Sequence, residues 1–213
     1  MITLYHCAGA RSFRPLWALE ELGLAYKLEM LPFPPRFLQP DYLSINPLGT
    51  IPLLLDGAVR MTESVAILQY LADKYGPTPL AVASHEAGFA DYLNFLHFGE
   101  ATLTFPQTIY FRYAMLEAPE KRQPVVAENY ARWFKKRMVG IEAQLAKHDW
   151  LAADRFTCAD ISVGFALQFA HFLKLDDEFS ERVQAYAARL RKRPAFMRAR
   201  NAERPAAASV PTA

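Results

Sequence analysis

The spacing of apolar residues changes character once along this chain, and that change limits the folds open to it. Up to about residue 75, short strand-like runs alternate with helical ones, whereas every apolar pattern beyond residue 84 has helical spacing. The stretch between them is rich in Pro and small residues, as linkers are. The 213 residues are enough for two small domains with substantial cores. We therefore predict an α/β domain at 1–78, a linker at 79–84, an all-α domain at 85–205 and a disordered tail at 206–213.

The first half has the pattern of a small mixed sheet covered by helices. A helix with Ser12 as its N-cap and Gly23 as its stop separates the first two strands. Asp56-Gly57 is a strong hairpin turn, and a further helix begins at about Thr62. The strands are predicted at 2–6, 26–31, 51–55 and 59–61. The order is strand, helix, strand, hairpin, helix, which favours an α/β layer architecture.

The second half is predicted to be helical throughout. Pro106 should kink or break its first helix, because proline lacks the N–H that the helix interior needs. The predicted helices are 85–105, 125–147, one from Thr157, 179–192 and a short one after Pro194.

Composition excludes several classes of function. The net charge is +2 and no basic stripe is present, so nothing favours a nucleic-acid partner. No apolar run reaches the roughly 18 residues of a bilayer-spanning helix, so no membrane association is predicted. The start, Met1 to Tyr5, lacks the features of a signal peptide. Two cysteines, Cys7 and Cys158, form no disulfide framework, and we expect a cytoplasmic protein.

Three local motifs in a fixed order carry a more specific signal. They are Asn46-Pro47-Leu48-Gly49-Thr50-Ile51-Pro52, then Thr62-Glu63-Ser64 with Ala66-Ile67 and Tyr70-Leu71, then Phe156-Thr157-Cys158-Ala159-Asp160. Over nearly the whole chain they resemble the cytosolic glutathione S-transferase family. The resemblance implies a thioredoxin-like N-terminal domain, an all-helical C-terminal domain, glutathione as co-substrate, no metal, and a homodimer active in detoxification.

Pro52 resembles the cis-proline of that family. A cis bond before Pro52 would turn the Ile51 backbone outward, where it could pair with the cysteinyl backbone of glutathione as an added strand does. Thr50 lies next to this backbone and could also donate to the sulfur. An ordinary proline that starts a strand is the alternative.

Glu63 and Ser64 lie where a helix begins, and a helix N-terminus attracts anions. By resemblance, Ser64 would donate to the γ-glutamyl carboxylate and Glu63 would accept from the α-amino group. Simple helix capping is the alternative, and it is compatible with ligand binding.

Thr157 and Asp160 have the spacing of a capping box, with Phe156 and Ile161 as the accompanying hydrophobic staple. We assign them a structural role. Cys158 beside them is expected to be a small buried residue.

The thiol of glutathione must be activated, because a free thiol has a pKa of about 8.5. Family members place a Tyr, Ser or Cys near the end of the first strand for this purpose. Here Ala10 aligns with the serine of theta-like enzymes and Arg11 with the cysteine of the bacterial beta class. Gly9-Ala10-Arg11-Ser12 with Pro15 resembles the loop of β-etherase-type transferases, which makes Ser12 the leading hydroxyl, or only an N-cap.

Two other loop residues remain open as activating groups. Arg11 could stabilise a thiolate electrostatically. Cys7 could form a mixed disulfide with glutathione, or it could be a buried residue at a strand end. His6 belongs to the strand and is not assigned as a base, and backbone donors alone could suffice.

In this family the electrophile lies between the two domains. Aromatic residues around the helix break are candidates for its apolar wall, although most aromatics in such a stretch fill the core. His97, Glu100 and Gln107 are spaced so that they could share one helix face toward the cleft, or a solvated face. The candidate residues are Phe13, His97, Glu100, Phe105, Tyr110, Phe111 and Tyr113.

The sequence thus predicts attack of the glutathione thiolate on a small hydrophobic electrophile. One alternative is another glutathione-dependent activity, namely a peroxidase, a β-etherase or a thiol transferase. The other is a non-catalytic binding module of the same fold. Retention of Pro52, Glu63 and Ser64 argues against a module that needs no glutathione site.

Overall fold

A computed structural model of the chain describes residues 1–204. The predicted tail at 206–213 lies outside the described residues. Contacts divide the described chain into a sheet unit, residues 1–71 with 192–204, and a helical unit, residues 72–191. The last helix thus belongs with the sheet unit, whereas the sequence pattern had grouped it with the other C-terminal helices. No helix within residues 1–204 is long and apolar enough to span a bilayer.

The sheet unit contains a four-stranded mixed sheet in the order β2-β1-β3-β4. Strand β1 runs parallel to β2 and antiparallel to β3, and β3 pairs antiparallel with β4 through the predicted hairpin. Its elements are β1 Ile2–His6, α1 Phe13–Leu22, β2 Tyr26–Met30, α2 Pro35–Leu38, α3 Tyr42–Ile45, β3 Leu53–Asp56, β4 Val59–Met61, α4 Ser64–Lys74 and a C-terminal helix, Pro194–Ala202. The strands and helices predicted for this unit are confirmed to within about two residues.

The C-terminal helix packs on α1 because both present aromatic side chains. The Phe196 ring lies edge-on to Phe13 and Trp17, with centroids 5.3 and 5.0 Å apart. A bidentate ion pair from Arg193 to Glu21, at 2.6 and 2.8 Å, fixes the start of this helix. These contacts explain why the helix belongs to the sheet unit.

The helical unit begins with a broken helix, as Pro106 predicted, although the break is a widened turn. The α-helical hydrogen bonding of α5, Phe89–His97, gives way to a π-helical stretch, Phe98–Thr104, before α6, Phe105–Phe111. The Phe105 N–H donates to the Glu100 carbonyl five residues back, and the Thr104 hydroxyl donates to the Gly99 carbonyl. A second π-helical turn, Arg112–Leu116, and a 3-10 turn, Pro119–Lys121, follow.

The remaining helices are α7 Pro124–Leu145, α8 Cys158–Leu173 and α9 Glu181–Arg191, which makes the C-terminal helix α10. Helix α8 is the core of the helical unit, and the predicted capping box at its start is confirmed. Asp160 is fully buried and accepts hydrogen bonds from the Thr157 N–H at 2.8 Å, the Leu151 N–H at 3.2 Å and the Tyr186 hydroxyl at 2.7 Å. Burial nevertheless raises the pKa of Asp160 to about 6.

The stretch predicted as a linker is packed within the helical unit. Leu80 and Val82 are buried, and the Leu80 carbonyl accepts from the Cys158 N–H at the start of α8. Arg155 donates to the carbonyls of Pro79 and Ala81 at 3.1 and 2.9 Å. Small and proline residues here permit close backbone approach, so their abundance does not mark a loose connection.

Candidate functional site

Three segments with predicted functional residues meet at one end of the sheet. In the register of the strands, Tyr5 of β1 faces Leu53 of β3, and Leu54 faces Met61 of β4. The residues that follow β1, precede β3 and follow β4 therefore lie at the same edge. We call these three segments, 7–12, 50–52 and 62–64, the sheet edge.

Ser12 lies at the N-cap position of α1 but neither caps the helix nor reaches the surface. Its side chain is fully buried. The Oγ accepts from the Cys7 N–H at 3.3 Å and donates to the Cys7 carbonyl at 3.4 Å. Ser12 therefore closes the loop between β1 and α1 on itself, and it presents no surface to a bound thiol.

Cys7 is also fully buried, in a cluster with Leu31, Tyr42 and Leu53. Its thiol donates weakly to the Pro32 carbonyl at 3.5 Å. Burial raises the pKa of the thiol to about 12, because the thiolate would lose its hydration. Arg11 is half-buried, while Ala8 and Gly9 form the exposed part of the loop.

The exposed part of this loop is held by the end of the chain's last helix. The Gly9 N–H donates to Glu203 Oε1 at 3.0 Å, and Arg200 pairs with the other carboxylate oxygen. His6 Nε2 lies 3.1 Å from Glu203 Oε1, but neither ring nitrogen of His6 has the alignment of a hydrogen bond with any described residue. The buried Glu203 carboxylate thus fixes the loop between β1 and α1, although Glu203 is distant from this loop in the sequence.

The segment before β3 carries the predicted cis bond, between Ile51 and Pro52. Pro52 is buried, Ile51 is half-buried and Thr50 is exposed. The Thr50 carbonyl accepts from the Tyr42 hydroxyl and from Asn46 Nδ2, both at 2.8 Å.

Glu63 and Ser64 lie at the start of α4. The Glu63 carbonyl accepts from the Ile67 N–H at 2.9 Å, which makes Glu63 the N-cap, and its side chain is exposed. Ser64 is 4% exposed, and its Oγ accepts from Nη1 of the fully buried Arg14 at 3.2 Å. The helix N-terminus and the guanidinium both supply positive potential, so this corner of the sheet edge suits an anion.

The residues predicted for an electrophile pocket have different surroundings. The structure places Phe13 in the core of the sheet unit, fully buried against Trp17 and Phe196, and not in a pocket wall. Phe105 is 43% exposed and packs edge-on against Tyr130 and Trp133 of α7. Tyr110, Phe111 and Tyr113 are half-buried, with the Phe111 ring against Phe169 and Phe172.

The shared face predicted for His97, Glu100 and Gln107 is not formed. His97 is exposed and Glu100 is half-buried. Gln107 is fully buried, and its Nε2 donates to the Ala166 carbonyl at 3.1 Å. The π-helical stretch between Glu100 and Gln107 widens the turn, so residues seven apart no longer repeat the same direction as they do in an α-helix.

Sequence reasoning missed Arg14, Tyr42 and Glu203. Arg14 lies within the apolar run from Phe13 to Leu19, and a lone charge in such a run signals a buried partner. Tyr42 and Glu203 reach the sheet edge only through tertiary contacts, so no local pattern identifies them.

Comparison with known proteins identifies the family of the chain. Residues 1–73 match the profile of the glutathione S-transferase N-terminal domain, and residues 103–194 match that of the C-terminal domain. Glutathione S-transferase GstA of Escherichia coli O157:H7 is 30% identical over 203 residues, which cover 94% of this chain and 98% of the relative.

Two similar solved structures contain glutathione or a glutathione conjugate. A sphingomonad glutathione S-transferase complexed with glutathione has a TM-score of 0.82 at 28% identity, covering 94% of this chain and 98% of that one. Ure2p5 of Phanerochaete chrysosporium, cocrystallized with 1-(S-glutathionyl)-2,4-dinitrobenzene, has a TM-score of 0.80 at 25% identity, covering 95% and 94%. The chain belongs to the glutathione S-transferase family.

Proposed function

We propose that this glutathione transferase conjugates the glutathione thiolate to small hydrophobic electrophiles, with the tripeptide bound along the sheet edge. The contact between Arg14 and Ser64 is the observation that carries the proposal. Because the guanidinium donates to Ser64 Oγ, the hydroxyl hydrogen of Ser64 is free to donate to the γ-glutamyl carboxylate. The exposed Glu63 carboxylate accepts from the α-amino group.

The cysteinyl part of glutathione pairs with the backbone of Ile51, as an added strand pairs with the outermost strand of a β-sheet. Pro52 is buried behind it, and Thr50 is exposed beside it. In this proposal the Thr50 hydroxyl lies on the same side as the bound tripeptide.

For the thiol we propose activation by the N-terminus of α1 together with Arg11. Positive potential favours the thiolate over the thiol, so it lowers the thiol pKa. Ser12 and Cys7 are buried and lack the surface that contact with the sulfur requires. In this proposal Ser12 shapes the loop, and Arg11 and Thr50 are the side chains that approach the sulfur.

The alternative as a thiol transferase has weaker support. That reaction needs a nucleophilic thiolate on the protein, and the buried Cys7 thiol, with its pKa raised to about 12, stays protonated at neutral pH. For the electrophile we propose the accessible side chains from the end of α5, through the π-helical stretch, to α6, namely His97, Glu100, Phe105 and Tyr110. We further propose a homodimer, as membership of this family implies.

Titration of the bound thiol tests the assignment of the activating group. Calorimetry should first show glutathione binding to the unmodified protein, and the absorbance of the thiolate against pH then gives the thiol pKa. We expect Arg11→Ala to raise this pKa by about one unit and Arg11→Lys to restore most of the shift. Cys7→Ala should leave the pKa and the turnover unchanged, and Ser12→Ala should shift the pKa by less than Arg11→Ala does.

Two outcomes would contradict the proposal at different levels. A raised thiol pKa in Ser12→Ala, with none in Arg11→Ala, would return the activating role to Ser12. Absence of binding at millimolar glutathione would remove the enzymatic proposals together and leave a binding module of this fold.

A further inference from the structure

The Thr50 carbonyl at the sheet edge is held by two buried donors. The Tyr42 hydroxyl and Asn46 Nδ2 each lie 2.8 Å from this oxygen, and Asn46 Nδ2 also lies 3.4 Å from the Tyr42 hydroxyl oxygen. We propose that Tyr42 and Asn46 are positioning residues that set the affinity for glutathione by fixing the direction of the Ile51 N–H. The proposal rests on the binding mode given under Proposed function.

The planarity of the peptide bond connects the two groups. The carbonyl of Thr50 and the N–H of Ile51 belong to one rigid peptide plane and point in opposite directions when that peptide is trans. Two donors that occupy the two lone pairs of the carbonyl oxygen prevent the plane from rotating. The N–H then faces the cysteinyl carbonyl before the ligand arrives, so binding does not have to order it.

The donors themselves are held firmly. The Tyr42 side chain is 1% exposed and packs in the cluster with Cys7, Leu31 and Leu53. Its ring also lies 5.5 Å from that of Tyr5. Tyr42 begins α3, whose last turn is closed by the Asn46 N–H donating to the Tyr42 carbonyl at 2.8 Å.

Asn46 and Gly49 fix the turn that leads to Thr50. Asn46 Oδ1 accepts from the Leu48 N–H, and the Asn46 carbonyl accepts from the Gly49 N–H at 2.8 Å. Gly49 has a φ of +60°, and a Cβ there would lie 2.7 Å from Arg36 Cβ. Only glycine fits, so the direction of the chain into Thr50 is set by packing.

A second tyrosine in the same unit supplies a matched control. The Tyr70 hydroxyl donates to Asp56 Oδ2 at 2.8 Å, at the end of β3 remote from the sheet edge. Tyr70→Phe and Tyr42→Phe each remove one hydroxyl that donates to an oxygen of the sheet unit, and each keeps the ring. If the Tyr42 hydroxyl only stabilised the fold, Tyr42→Phe and Tyr70→Phe should therefore have the same affinity for glutathione.

The experiment compares glutathione binding, unfolding and amide exchange in the full-length protein and these two variants. Calorimetry with S-methylglutathione excludes effects of thiol ionisation. We expect Tyr42→Phe to raise the Kd and the KM for glutathione about fivefold, with kcat at saturating glutathione unchanged. Loss of the orienting hydrogen bond should cost about 1 kcal/mol of binding free energy. In the complex with S-methylglutathione, amide exchange at Ile51 should become faster.

Tyr70→Phe should change neither the Kd nor the exchange at Ile51, even where its midpoint of thermal unfolding falls as much as that of Tyr42→Phe. Asn46→Asp, which keeps the acceptor for Leu48 but removes the donor to Thr50, should reproduce the effect of Tyr42→Phe. Equal Kd values in the unmodified protein and Tyr42→Phe would overturn the inference. No binding by the unmodified protein would overturn the proposed binding mode itself.

Discussion

The two units each contain a buried polar cluster, and the clusters differ in where their hydrogen bonds end. In the helical unit, four donors converge on Asp160, the fourth being the Thr157 hydroxyl at 3.1 Å, and every member of the cluster is buried or lies in the backbone of a buried turn. In the sheet unit, Arg14 donates to Ser64, and Tyr42 and Asn46 donate to Thr50. Those bonds end on groups next to exposed residues of the sheet edge.

This difference separates stability from ligand binding. A closed cluster satisfies its own donors and acceptors, so its loss is felt as unfolding. An open cluster orients groups that still have a hydrogen bond to offer, so its loss is felt as weaker affinity. Burial of a polar residue alone does not distinguish the two roles.

The largest effect on stability is expected from disrupting the closed cluster around Asp160. Asp160→Asn should lower the free energy of unfolding by about 3 kcal/mol at neutral pH, because an amide offers one acceptor oxygen to four buried donors and weakens the capping box. Urea unfolding measures the loss. The KM for glutathione of the folded variant should stay within about twofold of the unmodified value.

Asp154→Asn is the matched control, since Asp154 is exposed and pairs only at the surface with His148. It should change the unfolding free energy by less than about 0.5 kcal/mol. A variant Asp160→Asn that unfolds like Asp154→Asn would show that the closed cluster contributes little to the fold.

A smaller effect is expected from protonating the same cluster. The pKa of Asp160 is raised to about 6 from an ordinary 3.8, so between these pH values the folded chain binds a proton that the unfolded chain has released. The contribution of Asp160 to stability should therefore fall as pH rises from about 4 to about 6, on the order of 2 kcal/mol, and then level off.

The difference in unfolding free energy between the unmodified protein and Asp160→Asn isolates this contribution, since other titrating groups cancel. Measured from pH 4 to pH 7, that difference should shrink with increasing pH. A difference independent of pH would place the titration of Asp160 outside this window.

The smallest change in free energy is expected from the open cluster, where the affected quantity is affinity. Ser64→Ala should raise the Kd for glutathione about tenfold, or about 1.4 kcal/mol, through loss of the hydroxyl that we propose donates to the γ-glutamyl carboxylate. Its unfolding free energy should fall by only about 1 kcal/mol, for the lost contact with Arg14.

Ser44→Ala is the control in the same unit, because Ser44 is exposed and donates only to the carbonyl of Asp41. It should leave both quantities unchanged within error. Calorimetry and urea unfolding on the same preparations separate the two effects. A Ser64→Ala variant that loses stability but keeps its affinity would assign the contact to the fold alone.

The sequence predicted the elements of the fold well where local signals agree. The turn at Asp56-Gly57, the stop at Gly23 and the capping box from Thr157 to Asp160 are local in origin, and all three are present. The broken helix at Pro106 was predicted, but its π-helical form depends on the Thr104 and Gly99 contact across the turn. The face shared by His97 and Gln107 failed for that reason.

The candidate site was predicted in part for a similar reason. Motif spacing selected Ile51, Pro52, Glu63 and Ser64 as candidates, because each lies at the start or end of an element that the pattern marks, and their contacts with glutathione stay a prediction. The burial of Ser12 and Cys7, and of Phe13 against Phe196, depends on how the loop after β1 is covered by distant segments. The spacing of residues within a motif contains no information about which distant segments bury this loop.

The sequence by itself determined the family and the order of strands and helices along the chain. Those features follow from motif spacing, hydrophobic period and turn residues, which act over a few residues. Tertiary structure alone decided, through the register of the strands, that segments 7–12, 50–52 and 62–64 meet at the sheet edge, and which polar groups there are exposed. Arg14, Tyr42 and Glu203 bond to residues 50, 8 and 194 positions away along the chain, and only folding brings their charges and donors together.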